Sequence, residues 1–248
     1  MVRLITYESL VLKSVFARFW AREHRTGNSL ISRVRADLGE VISVCRGETR
    51  QTNHNRQLLS DLPKGIIPSS WKVYAVPKAM SLSAWIADLA KRAQQLDQVA
   101  KESRLDEFSV QLGLLFSPGA YMTATRQAVA HRASVSLEHL QLGLTINQRP
   151  SDADGFALTG LKLEGAGWVD GRLELNDGAS VELETCTLQW KATTPNAAPA
   201  GALGSSNVPI SVYLNGDRSI SLFNIALPTR REEDPSAFAQ RAVALRAA

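Results

Sequence analysis

The chain has 248 residues, 44% hydrophobic and 21% charged, which excludes wholesale disorder and collagen-like repeats. Its net charge of +4 is uneven: residues 1–110 carry 17 Lys and Arg against 11 Asp and Glu, and residues 111–248 carry 11 against 13. No apolar run nears the roughly 18 residues of a membrane helix, and Met1 to Leu12, broken by Arg3, Thr6, Glu8 and Ser9, does not read as a signal peptide.

The first ~105 residues follow a helical period. Leu10, Val11, Val15, Phe16, Phe19 and Trp20 predict one helix. After a break at Gly27, Leu30, Ile31, Val34, Leu38, Val41, Ile42 and Cys45 predict a second, capped by Asn28 or Ser29 and ended by Gly47, with Cys45 a small core residue. A short helix over 53–62 precedes an ordered apolar loop, Leu62 to Trp71, whose Pro63, Gly65 and Pro68 stop any helix. Another helix starts near Ser81, with Leu82, Trp85, Ile86, Leu89, Ala93, Leu96 and Val99 on one side. Ser117-Pro118 opens an entry helix over 118–133.

From Leu140 the period becomes two. Leu140 to Ile146 reads as a half-buried strand, and Phe156/Leu158 change phase at Thr159-Gly160 to Leu161/Leu163, as a bulge would require. Further strands are read at Leu173/Leu175, Val181/Leu183, Leu188/Trp190, Ile210 to Leu214 and Ile220/Leu222, with turns at Asp170-Gly171, Asp177-Gly178 and Asn215-Gly216. Residues 192–207 read as a mobile low-complexity loop. Asp234-Pro235 caps a helical turn, and residues 241–245 return as a closing strand. The expected fold is α+β: a helical subdomain over 1–108, then a small antiparallel β-barrel over 109–248.

Sequence motifs for chemistry are scarce. There is no GxxxxGK[ST] loop, HExxH or GxSxG, and Cys45 and Cys186 lack CxxC partners, so the reading names no catalytic, cofactor or metal residue. Cysteine usage fits a reducing, cytosolic setting. Basic and acidic residues alternate (Arg22-Glu23, Arg35-Asp37, Lys101-Glu102), and no five-residue basic block occurs, so nucleic-acid binding is not expected. Glu164, Glu174, Glu182 and Glu184 alternate with leucines, which places them on a solvent face. Two rival readings remain: a stand-alone carbohydrate-binding barrel using Trp168 and the 192–207 loop, and a glycoside hydrolase using the strand glutamates.

Several ordered segments carry a resemblance. Gly113-Leu-Leu-Phe-Ser-Pro-Gly-Ala-Tyr-Met-Thr-Ala-Thr-Arg-Gln-Ala-Val-Ala130 is similar to a signature near the C-terminus of cytoplasmic dynein heavy chains. Arg35 to Leu38, Val44 to Gly47, Gln51 to Asn53, Leu62 to Trp71, Tyr74 to Pro77, Leu158 to Ala166 and Glu233 to Phe238 agree in order, so the resemblance runs from about Lys13 to the end. Residues 1–12 have no counterpart in it and read as the tail of the preceding ATPase module or an edge of the sequence. Val135 stands where the family has Trp, and the 192–207 loop is longer than usual.

The resemblance implies a non-catalytic module that follows the sixth ATPase module of a motor ring, lies across the ring and tunes force and processivity. Its implied partners are the AAA+ ring modules of the same heavy chain and, through the parent complex, accessory chains. Nucleic acid, membrane and direct microtubule contact are not expected. The implied setting is cytoplasmic and cytoskeleton-associated. Arg18, Arg22 and Arg25 on the basic N-terminal helix are the candidate partner contacts.

Overall fold

The computed structural model describes residues 14–102, 104–105, 107–150, 155–176, 180–192, 207–229 and 234–247. Among these the polypeptide forms two compact units: one of residues 17–102 and 114–117, the other of 14–16, 104–113 and 118–247.

The first unit is helical. Its helices are α1 (Val15–Cys45, all but its first two residues), α2 (Asn53–Asp61) and α3 (Leu82–Val99). The two helices expected on either side of Gly27 are one. Gly27 does not break α1, because glycine serves there for close packing: a Cβ on it would stand 3.0 Å from Leu96 Cδ1 and 3.1 Å from Phe116 Cε2. The helix stops as expected at Gly47, whose N–H bonds the Val44 carbonyl. Thr52 and Ser81 cap α2 and α3 by accepting from the N–H of Asn55 and Ala84. The 62–71 segment is ordered, but carries 3₁₀ turns at Leu62–Lys64 and Ser69–Trp71 rather than having no helix at all.

Trp71 and Trp85 stack in the core of this unit with ring centroids 5.5 Å apart, and both are fully buried. Trp71 Nε1 donates to Asp37 Oδ2 at 2.6 Å, and His54 Nε2 lies 2.9 Å from the other oxygen. Trp85 Nε1 finds no acceptor among the described residues. The two tryptophans therefore respond differently to loss of the indole N–H. Trp71→Phe leaves the buried Asp37 short of a donor and is expected to cost about 2 kcal/mol more than Trp85→Phe, which removes an unsatisfied donor. Urea unfolding followed by far-UV circular dichroism measures both.

The second unit holds α4 (Pro118–Ala133), α5 (Pro235–Gln240) and eleven strands. One sheet contains β1 (Val110–Gln111), β3 (Gly155–Thr159), β8 (Cys186–Ala192) and β2 (Leu140–Ile146), in that order. Another contains β10 (Ser221–Pro228), β9 (Asn207–Tyr213), β11 (Ala244–Ala247), β4 (Leu161–Glu164) and β7 (Val181–Leu183). The third is a hairpin of β5 (Ala166–Val169) and β6 (Arg172–Leu175), turned at Asp170-Gly171 as expected. Phe156, Leu158, Leu161, Leu163, Leu188, Val212 and Leu245 are buried to the point of zero exposure.

The α+β class holds, but the closed antiparallel barrel does not. Among the described residues the ladders are open, and two pairs are parallel: β1 with β3 and β11 with β9. The reason lies at two glycines. Gly160 (φ +67°) and Gly165 (φ +80°) bend the run 155–169 twice, handing it from the first sheet to the second and then to the hairpin. The bulge expected at Thr159-Gly160 is thus a corner between sheets. The closing strand is likewise internal: β11 lies between β9 and β4. In the 215–218 turn the positive φ falls on Arg218 (55°) and not on Gly216. The Asp177-Gly178 turn, and the loop read over 192–207 apart from its ends Ala192 and Asn207, lie outside the described residues.

Candidate partner interface

Helix α1 carries five arginines against three carboxylates. The acids are not distributed as the sequence alternation suggests. Glu23 and Asp37 turn inward, at 1% and 7% exposure, which leaves Glu40 the only exposed carboxylate of the helix. Arg18, Arg22 and Arg25 follow at steps of four and three, so they share one side of α1, and all are exposed. No hydrogen bond or ion pair engages them among the described residues.

A second surface runs along α1. Trp20, Gly27, Ile31, Leu38, Ile42 and Cys45 fall on one helical line. Its N-terminal part is buried, Trp20 completely, whereas Leu38 is 40% and Ile42 50% exposed and Cys45 is free and exposed. Cys45 is therefore not the core residue its phase suggests: the line outruns the part of the unit that covers it.

The inward acids build a clasp that sequence reasoning missed. Glu23 accepts from the Phe116 N–H at 2.7 Å and from the Ser117 N–H at 2.9 Å. Arg92, 6% exposed, donates through Nη1 to the Leu115 carbonyl at 2.7 Å and through Nε to Asp88 at 2.7 Å. Its guanidinium lies 4.1 Å from the Tyr74 ring centre, and Tyr74 Oη donates to Asp88. Three successive residues, 115–117, are thus held by two buried charges. Burial pushes the Glu23 carboxyl above its ordinary range, opposed by the two backbone N–H groups and by Arg92. A signal was present: Glu23 and Arg92 both occupy apolar phases, the first among Phe16, Phe19, Trp20 and Leu30, the second between Leu89 and Leu96.

The strand glutamates are not a paired acid and base. Glu164 accepts from Arg246 at 2.7 Å and from Arg218 at 3.0 Å, which hold its carboxyl below the usual range despite partial burial. It is half-buried and ion-paired rather than open to solvent; Glu174 is half-buried too, and only Glu182 and Glu184 are exposed. Trp168 sits in the hairpin opposite Leu173. Cys186 is buried, which pushes its thiol up to about 11, far from a ready nucleophile. A groove of about 220 Å³ beside Trp190, between the end of α4 and the end of β8, is smaller than the ~300 Å³ at which ligand pockets begin. Among the described residues no three His, Cys, Asp or Glu side chains gather as for a metal, and no helix is long and apolar enough to cross a membrane.

The family profile for the C-terminal domain of dynein heavy chains matches residues 6–247. The chain belongs to that family. The dynein match takes in residues 6–12, for which the ordered motifs give no counterpart. The cytoplasmic dynein heavy chains of Dictyostelium discoideum and Drosophila melanogaster are each 36% identical to it over 94% of its length. The flagellar outer-arm dynein beta chain of Chlamydomonas reinhardtii is 30% identical over 65%. The likeness is thus fuller on the cytoplasmic side. The chain spans only 5% of the length of either cytoplasmic dynein heavy chain.

Proposed function

We propose that the chain is a non-catalytic regulatory module that packs on the AAA+ ring of its own dynein heavy chain and tunes force and processivity of a cytoplasmic, cytoskeleton-associated motor. The observation that carries this reading is the half-covered apolar line of α1: Leu38, Ile42 and Cys45 continue a buried line into solvent, which fits a helix completed by a partner. With 5% of the relatives' length in hand, the rest of the heavy chain is the nearest source of that partner. Arg18, Arg22 and Arg25 are the contacts assigned to it, and the division near residue 108 into helical and strand-rich subdomains belongs to the same reading. Accessory chains would be met through the parent complex; nucleic acid, membrane and direct microtubule contact have no place in it.

A rigid module gripping more than one part of a ring favours the ring state in which all contacts are made. Only the difference in contact energy between states shifts their populations. About 1.4 kcal/mol of difference changes a ratio of states tenfold. An intact motor lacking residues 110–248 is therefore expected to change stall force or run length in single-motor assays. Unchanged values of both would reject the regulatory role.

A further inference from the structure

We propose that Arg18, Arg22 and Arg25 dock on an acidic protein surface of the same heavy chain. This rests on the docking reading above and adds the chemistry of the partner. The inward turn of Glu23 and Asp37 removes from the surface two acids that the sequence sets beside arginines. Arg18 to Arg25 spans about 10 Å of helix at 1.5 Å per residue, and no exposed carboxylate of α1 lies on that stretch. The nearest on α1, Glu40, is about 22 Å beyond Arg25, more than two Debye lengths at physiological salt, and Asp97 of α3, whose charge reaches His24, is paired with Lys101 at 2.6 Å.

Three like charges on two turns repel one another, which favours neither helix nor unit unless a partner supplies the opposite sign. A protein surface fits better than a polyanion. The row is short, the whole sequence is only +4, and residues 111–248 carry 11 basic against 13 acidic residues, too little for a phosphate-tracking face. The row and the apolar line also occupy opposite sides of α1, so the helix would be gripped from both.

The test uses an intact heavy chain with a specific protease site ahead of residue 1. After cleavage, retention of the released 248-residue piece on the motor is measured by gel filtration at about 50 and about 500 mM KCl. The wild-type piece should stay bound at low salt and be released at high salt, and R18E/R22E/R25E should weaken retention at least about tenfold at low salt. The isolated neutral variant R18Q/R22Q/R25Q should melt no lower than the wild type, since it removes the repulsion that three glutamates would keep; a lower melt of that variant would mark the arginines as structural and overturn the inference. Equal retention of both at both salts would also overturn it while leaving docking intact. Failure of the wild type to stay bound at either salt would instead remove the docking reading. Arginine-dependent binding to tRNA or phosphatidylserine vesicles, with retention on the motor unaffected, would assign the row to a polyanion and reject the acidic protein surface.

Discussion

Replacing Glu23 by Ala is expected to destabilise the protein by about 2–4 kcal/mol. The carboxylate is almost wholly buried and holds the N–H groups of Phe116 and Ser117. Truncation leaves the buried Phe116 N–H and the part-buried Ser117 N–H without their partner, at about 1–3 kcal/mol each, offset by relief of a desolvated charge. The thermal melt should fall by roughly 5–10 °C, and hydrogen exchange at those two amides should accelerate more than at the amides of α4 that follow them.

The same site has a signed pH dependence. Burial raises the folded-state pKa of Glu23 above its ordinary 4.5, so the stability linked to its protonation is complete below about 4.5 and is lost as pH rises through the raised value. Wild type should therefore gain on Glu23→Gln as pH is lowered from 7 toward 4.5. A gap that widens in the other direction would mean that the two N–H groups and Arg92 outweigh burial.

Gly160→Val is expected to cost about 3 kcal/mol, by a different route. The residue sits at φ +67°, where a β-branched side chain is strained by about 1–2 kcal/mol, and an added Cβ would stand 2.7 Å from Gln111 Cγ. Gln111 pairs with Thr159 in the short parallel ladder of β1 and β3, so relief of the clash draws on that ladder. Gly119→Ala is the control. Gly119 is exposed in the first turn of α4 with open space at its Cβ, and the change should alter stability by less than about 1 kcal/mol. Similar urea midpoints for the two variants would refute the corner assigned to Gly160.

Local signals carried the elements well and their assembly poorly. The start of α3 near Ser81, the Ser117-Pro118 start of α4 and the period-two leucines are written in neighbouring residues, and the helices and most strands follow, whereas the cap read at Asn28 or Ser29 falls inside α1. The two misread glycines depend on distant partners: Gly27 is small because Leu96 and Phe116 approach it, and Gly160 turns a corner because β4 pairs with β11, more than 80 residues later. Charge alternation misled for the same reason. Which way Glu23 points is decided by backbone groups at 116 and 117. The dynein resemblance was legible because it rests on ordered segments rather than on geometry, and the profile match over 6–247 agrees with it. The arginine row was visible as residues, but the inward turn of the acids beside it on α1 was not.

Cys45 gives the most direct test of the claim that α1 is completed by the rest of a dynein heavy chain. It lies at the uncovered end of the apolar line and is exposed, while the buried Cys186 serves as an internal control. Alkylation of each cysteine is followed by mass spectrometry in the isolated 248 residues and in the intact heavy chain. The account predicts that Cys45 reacts readily in the former and at least about tenfold more slowly in the latter, as burial under a partner requires, with Cys186 slow in both. Equal Cys45 rates would contradict it.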